Sequence, residues 1–410
     1  MRKNMPACAI VFLPAAVSLF FFSSCVSMKE RYTKGMGPPV IVSQERKKTD
    51  ETHREDKKPA RSLNDLGLRV LVTKTTGKVV LKSSKQIKPV NNAEVAPAGT
   101  MEISFSAGSM FVNGSRVHAG SVEFEAGDFM ETGGRKYRGG FLAVNTGSVV
   151  LLINKVPLRC YLYGVLPSEV PPGWHREFLK AQAVAARTFA LYNRLKGKTP
   201  EYDLDSTVMS QVYKGYTIED PRTNEAVDAT EGEILTYKNE PIQAFFHANS
   251  GGRTATSEEV WGGKLDYLKS VPDEHGSSGR HYRWFAEVKR TVIKEAMEKA
   301  GIRPGEIYDI NVIDKTGSNR VNTLRVYGSG GSFTVRAKDL RMNVGPDIIR
   351  STNFTASQKG DSILFEGYGW GHGVGLSQDG GNGMAQRGMD YKSILRHFYR
   401  GAEIKKARLQ

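Results

Sequence analysis

The chain reads as a mixed α+β fold, on three observations. Short strand-forming runs bounded by turn residues fill its first half, one long alanine-rich helix follows them, and no strand–helix–strand rhythm repeats afterwards. With 410 residues, 39% of them hydrophobic, there is enough apolar material for one large or two modest domains with a true core.

Residues 1–25 stand apart from that core. Arg2 and Lys3 precede an uncharged apolar stretch ending in FSSC, the pattern of an export leader. Cys25 after two serines fits a loose lipobox, so the expectation is a lipoprotein whose mature N-terminus is acylated at Cys25; an uncleaved anchor and cleavage by an ordinary signal peptidase are the alternatives. Residues 26–65 are rich in Lys, Arg, Glu, Asp, Pro and Gly with few large apolar side chains, the composition of a solvated tether. The remainder, 66–407, is expected to be the folded body.

That body opens with β-like runs at 68–72, 78–81, 101–105, 109–117 and 122–126, and Asn113-Gly114 between strand formers predicts a hairpin. Residues 141–154 repeat the theme and deliver the chain to YGVLPSEVPPGW. There Pro167, Pro171 and Pro172 predict a stiff extended loop carrying Glu169, and the absence of Gly or Pro from His175 to Gly197 predicts a buried helix directly after it. A carboxylate beside a helix start can simply be a cap. Beyond lie a second helix near 291–300, strands at 306–313, 321–327 and 332–336, and a closing helix over 390–399.

Charge and cysteine content narrow the function classes. A net charge of +15 and a pI near 9.5 favour polyanionic partners, which an envelope supplies as phospholipid head groups and wall polymers. Nucleic acid is a poor fit, because the charge is scattered, no nucleic-acid-binding motif is present, and an export leader removes the chain from the cytoplasm. Of three cysteines, Cys8 lies in the leader and Cys25 would be acylated, which leaves Cys160 as a small buried hydrophobe with no disulfide partner.

Two further polar stretches complete a candidate site. Eight glycines between Gly367 and Gly383 permit positive φ and close approach of backbone to a ligand, yet neither GxxxxGK[ST] nor a GxGxxG opening a helix is present, so a phosphate loop is excluded. Within YGWGHGVGLSQ, Trp370 offers a face for a pyranose ring and His372 offers hydrogen bonds to hydroxyls; the plainer alternatives are core packing for Trp370 and a structural hydrogen bond for His372. FHANSGG supplies His247, Asn249 and Ser250 ahead of two glycines that expose backbone amides. Lys180 and Arg187, on the helix after Glu169, are candidates for substrate oxygens or for plain ion pairs.

LPSEVP with LKAQAVAARTFA, then QVYKG, FHANSGG, EEVWGG and GWGHGVGLSQ, in that order and spacing, resemble the stage II sporulation protein D and amidase-enhancer (SpoIID/LytB) family, from about Leu66 to about Ile404. The resemblance implies a peptidoglycan lytic transglycosylase acting on glycan strands free of stem peptides, with Glu169 catalytic. Its amidase-enhancer branch implies instead a wall-binding helper of an amidase. The candidate substrate-binding set is Lys180, Arg187, His247, Ser250, Trp370, His372 and Gln378. Some sporulation-type members carry a zinc-binding Cys and His where this chain has Asp205 and Met209, a poor zinc pair, so neither metal nor cofactor is expected. His281, His372 and His397 are too scattered to suggest another metal site.

One carboxylate suffices for lytic cleavage, because the muramyl C6 hydroxyl is the nucleophile and arrives at high effective concentration. Glu169 would protonate the bridging oxygen and then accept the C6 proton, which requires a raised pKa, expected from burial near Trp174 and Tyr163. Hydrolysis would need a second carboxylate, for which Glu258, Glu259 and Asp379 are the candidates.

Overall fold

The computed structural model describes residues 61–92, 94–197 and 199–409. The leader, Cys25 and the tether up to residue 60 lie outside the described residues. Leu63–Asp65 form a 3-10 turn in which Leu63 is fully buried, so the folded body has begun by this point.

An eleven-stranded, almost wholly antiparallel sheet makes up the first half, with 67–75, 150–157, 140–145, 121–126, 78–89 and 98–106 as consecutive neighbours. Alternating burial along these strands turns Leu81, Met101, Ile103, Val122, Phe124 and Phe141 into one core. The expected hairpin is present: Asn113 and Gly114 both take positive φ, 49° and 81°, as a two-residue turn of the primed type requires.

The last strand of the sheet hands over to helix α1, Leu158–Glu169. Here the structure corrects the expectation of an extended loop, since α1 continues through Pro167 and Glu169 is its final residue. Leu158, Tyr161, Leu162, Val165 and Leu166 bury an apolar face against the sheet, which outweighs the bias of a residue before proline. The carbonyl of Gly164 accepts from the Ser168 hydroxyl at 3.0 Å, and the Val170 N–H closes the last turn on Leu166. Pro171 and Pro172 then hold the chain out of helix until His175, whose Nδ1 accepts from the Glu177 N–H and starts α2, Arg176–Lys196.

Alanine in α2 serves two cores at once. Ala183, Ala186 and Ala190 pack toward the sheet, while Ala181, Val184 and Ala185 pack toward a second core containing Leu235, Val374, Leu376, Ile394 and Phe398. Gly197 ends the helix in the left-handed conformation. Helices α3, Pro221–Ala229, and α4, Ser257–Trp261, flank the strand at 233–237.

A third core belongs to residues 283–367. Strands 283–289, 362–368 and 354–359 form one sheet, strands 307–315, 321–328 and 331–336 another, and helices α5, Arg290–Lys299, and α6, Ala337–Val344, pack with them around Trp284, Leu324, Val326 and Phe365. The chain then returns through the glycine-rich stretch to α7, Gln378–Gln386, and α8, Tyr391–Phe398. Among the described residues no helix is long and apolar enough to cross a membrane.

Candidate active site

Three segments meet around Glu169. It ends α1; the stretch after a short strand at 204–205 brings Val212 alongside, whose N–H donates to Glu169 Oε1 at 2.7 Å; and the first residue of α7, Gln378, lays its carboxamide against the same carboxyl. Tyr213 turns inward to donate to Asn154 Oδ1, so Val212 and Lys214 share the opposite side of that extended stretch. The Lys214 ammonium acts on Glu169 through space. Approach this close depends on Gly164, where a Cβ would lie 2.7 Å from the Tyr213 ring.

Glu169 retains a partly exposed edge, yet removal of its carboxyl from water raises its pKa from 4.5 to about 7 against the opposing pull of Val212, Gln378 and Lys214. Its position at the carboxyl end of α1 acts in the same direction, because that end of a helix disfavours an anion. None of the three groups acting on it is a carboxylate. The expected neighbours Tyr163 and Trp174 are turned elsewhere, Tyr163 donating to Asp228 and Trp174 packing on Phe178.

Gln378 and His247 arrive by one strand pairing. Phe246–His247 runs parallel to Leu376–Ser377, register His247 to Ser377, and Gln378 follows. His247 is 5% exposed; its Nδ1 bonds the Val374 carbonyl, its Nε2 has no partner, and burial holds it neutral far below the ordinary histidine range. The His372 ring lies 5.4 Å from it, with Nδ1 accepting from the Val374 N–H, and burial depresses its pKa to about 3. Trp261, 43% exposed at the end of α4, lies 5.2 Å from His372 and 4.6 Å from Phe245. Sequence reasoning passed over Val212, Lys214 and Trp261 as individuals, although QVYKG and EEVWGG contain them.

The remaining expected residues have partners of their own. Ser250 is fully buried and donates to Asp273 at 2.5 Å. Lys180 pairs with Glu177 at 2.9 Å beside the Tyr391 ring. Arg187 is a correction: wholly buried, it donates to Thr230 and to the carbonyls of Val227 and Glu233, so it ties the end of α3 to the next strand and offers nothing to a substrate. Trp370 lies between the His281 ring and the Arg350 guanidinium.

The glycines approach the protein's own chain rather than an open space. Gly369, Gly371, Gly373 and Gly375 all have positive φ, and a Cβ on them would strike Asn249 O, His247 Cβ, Arg320 and Phe245 O respectively. Of the candidate second carboxylates, Asp379 accepts from Asn249, Glu259 closes a capping box with Thr256 and also accepts from Ser318, and Glu258 is exposed. Asp205 accepts from Thr207 and Ser210, while Met209 is 74% exposed. A surface depression of about 560 Å³ beside Lys136, Arg138, Tyr216 and Glu219 shares no residue with the Glu169 cluster.

A carboxyl of raised pKa at a helix end, touched by the residue that follows a buried strand pair, marks a candidate carboxylate-centred site on an α+β body. The chain belongs to the SpoIID family. The profile of that family, "Stage II sporulation protein", matches residues 146–237, which contain Glu169 and Val212, and a domain of unknown function (DUF8618) matches 266–375. Stage II sporulation protein D of Bacillus subtilis is 32% identical over 62% of this chain and 76% of its own length. An uncharacterized protein of Brachyspira hyodysenteriae is 32% identical over 72% of this chain and 78% of its own. The amidase enhancer of Bacillus subtilis is 26% identical over 76% of this chain but only 50% of its own length.

Proposed function

We propose that this cell-wall-related protein is a peptidoglycan lytic transglycosylase that cleaves glycan strands with Glu169 as sole acid and base. The observation carrying this reading is a carboxyl with a pKa of about 7 and no carboxylate among the groups that tune it. At neutral pH both its forms are populated, as a group that first gives and then takes a proton requires. Protonated Glu169 donates to the glycosidic oxygen as the C–O bond breaks. The resulting carboxylate, steadied by the Val212 N–H, accepts the C6 hydroxyl proton as that oxygen closes the anhydro ring. In this reading Gln378, which touches the Glu169 carboxyl, would hold sugar together with His247 and the exposed Trp261. The leader at 1–25 and acylation of Cys25 would tether the body at the outer face of a membrane.

The amidase-enhancer relative supports a second reading, in which the same surface binds wall glycan and assists an amidase without cleavage. Product analysis separates the two. Glycan strands stripped of stem peptides, incubated with the protein and weighed by mass spectrometry, should acquire anhydromuramyl ends. The Glu169→Gln variant should lose about a hundred-fold or more of that rate while still binding strands. Reducing ends would indicate hydrolysis, and intact strands a binder.

A further inference from the structure

Residues 283–367 and their junction with the body carry a surface that the Glu169 chemistry does not use. In the sheet formed by 283–289, 362–368 and 354–359, Trp284 faces the third core, so Arg283, Phe285 and Tyr368 face water. Phe285 is 56% exposed and Tyr368 39% exposed. The Arg283 guanidinium lies 4.7 Å from the Phe285 ring centre, the Tyr282 ring meets Tyr368 edge to face at 5.4 Å, and Arg350 covers Trp370 at 4.6 Å. Among the described residues no carboxylate lies within ion-pair distance of Arg283, Arg350 or neighbouring Arg280.

We infer that this face binds an anionic polysaccharide strand, the glycan itself beyond the cleavage site. An arginine stacked on a ring keeps its N–H edge free, and that edge matches a carboxylate two bonds at a time. The exposed rings of Phe285 and Tyr368 beside Arg283 suit the apolar faces of successive pyranoses. The guanidinium groups of Arg283 and Arg350, without ion pairs among the described residues, favour a strand bearing carboxylates, as muramic acid does when its lactyl group is free, while Glu366 opposite Phe285 confines that attraction to the arginines. A second strand-binding surface would lengthen the preferred substrate and give the 266–375 segment a role. The inference rests on the glycan reading above, which short substrates test independently.

The test uses the full chain with Arg283→Ser and Phe285→Ser combined, both solvent-facing and outside the Glu169 cluster. Binding to long stem-free strands should weaken about tenfold, while anhydro-product formation from short oligosaccharides stays within twofold of the parent. Unchanged long-strand affinity overturns the proposal. So does a loss confined to anionic phospholipid vesicles, or to nucleic acid, with glycan affinity intact. Parallel failure of the parent on short oligosaccharides would count against the cleavage reading and leave the binding result to stand alone.

Discussion

Glu169 is costly to the fold in its charged form, and this gives a stability signature separate from activity. Its folded-state pKa of about 7 lies above the ordinary 4.5, so between those values the folded protein binds more protons than the unfolded chain. Stability is therefore lost as pH rises through that window, by on the order of 2 to 3 kcal/mol for this one group. Glu169→Gln removes the loss while keeping an acceptor for the Val212 N–H. Denaturant unfolding should show the variant matching the parent at pH 4 and exceeding it at pH 8; a constant difference would exclude a raised carboxyl. The residue itself was legible from its frame of prolines, but its helical setting was not, because the bias of a residue before proline is local and the burial of Leu162, Val165 and Leu166 is tertiary. Arg187 misled for a related reason, since a cation on the helix after Glu169 looks alike in sequence whether it faces substrate or, as here, the carbonyls of Val227 and Glu233.

Helix α7 shows how an element can oppose its own propensities. Gly380, Gly381 and Gly383 lie inside it, each weakening an isolated helix by about 1 kcal/mol relative to alanine. The structure needs them bare: a Cβ on Gly381 would stand 2.7 Å from the Phe178 ring, and one on Gly380 would overlap the Asp273 carboxylate. Gly381→Ala should thus destabilise the protein by about 1 to 3 kcal/mol despite its better helix propensity, and should lower cleavage by shifting Gln378. A raised melting temperature would contradict the close packing of α7 on α2. This helix was hidden in the sequence, where glycine-rich composition points to irregular backbone. The Asn113-Gly114 hairpin was plain because its turn chemistry is local. The strands at 130–132 and 135–137 escaped notice because three residues hold too little alternation to read.

Across the whole molecule, a buried cation is among the groups that fasten the segment 283–367 to the body, beside the Ser318 N–H on Glu259 and Lys338 on the Val260 carbonyl. Arg320 is 2% exposed and donates to the carbonyls of Ser250, Arg253 and Ser318, with Gly373 pressed on its guanidinium. Arg320→Ala would leave buried carbonyls unpaired, at about 1 to 3 kcal/mol each. Hydrogen exchange should quicken at 249–253 and 316–321 while the strands at 67–75 and 150–157 keep their protection; unchanged exchange at the junction would show that other contacts hold it. The α+β class and the order of motifs were legible from end to end, but a third core built of residues 283–367 was not, because hydrophobic alternation shows which residues are buried and not which of them share a core. Cleavage by this protein turns on the proton affinity of one side chain that residue, element and whole fold hold together. Carbon-13 NMR titration of glutamate carboxyls, with Glu169 assigned by its absence in Glu169→Gln, measures this directly. A midpoint near 7 is predicted, and a midpoint near 4.5, the ordinary carboxylate value, would contradict it.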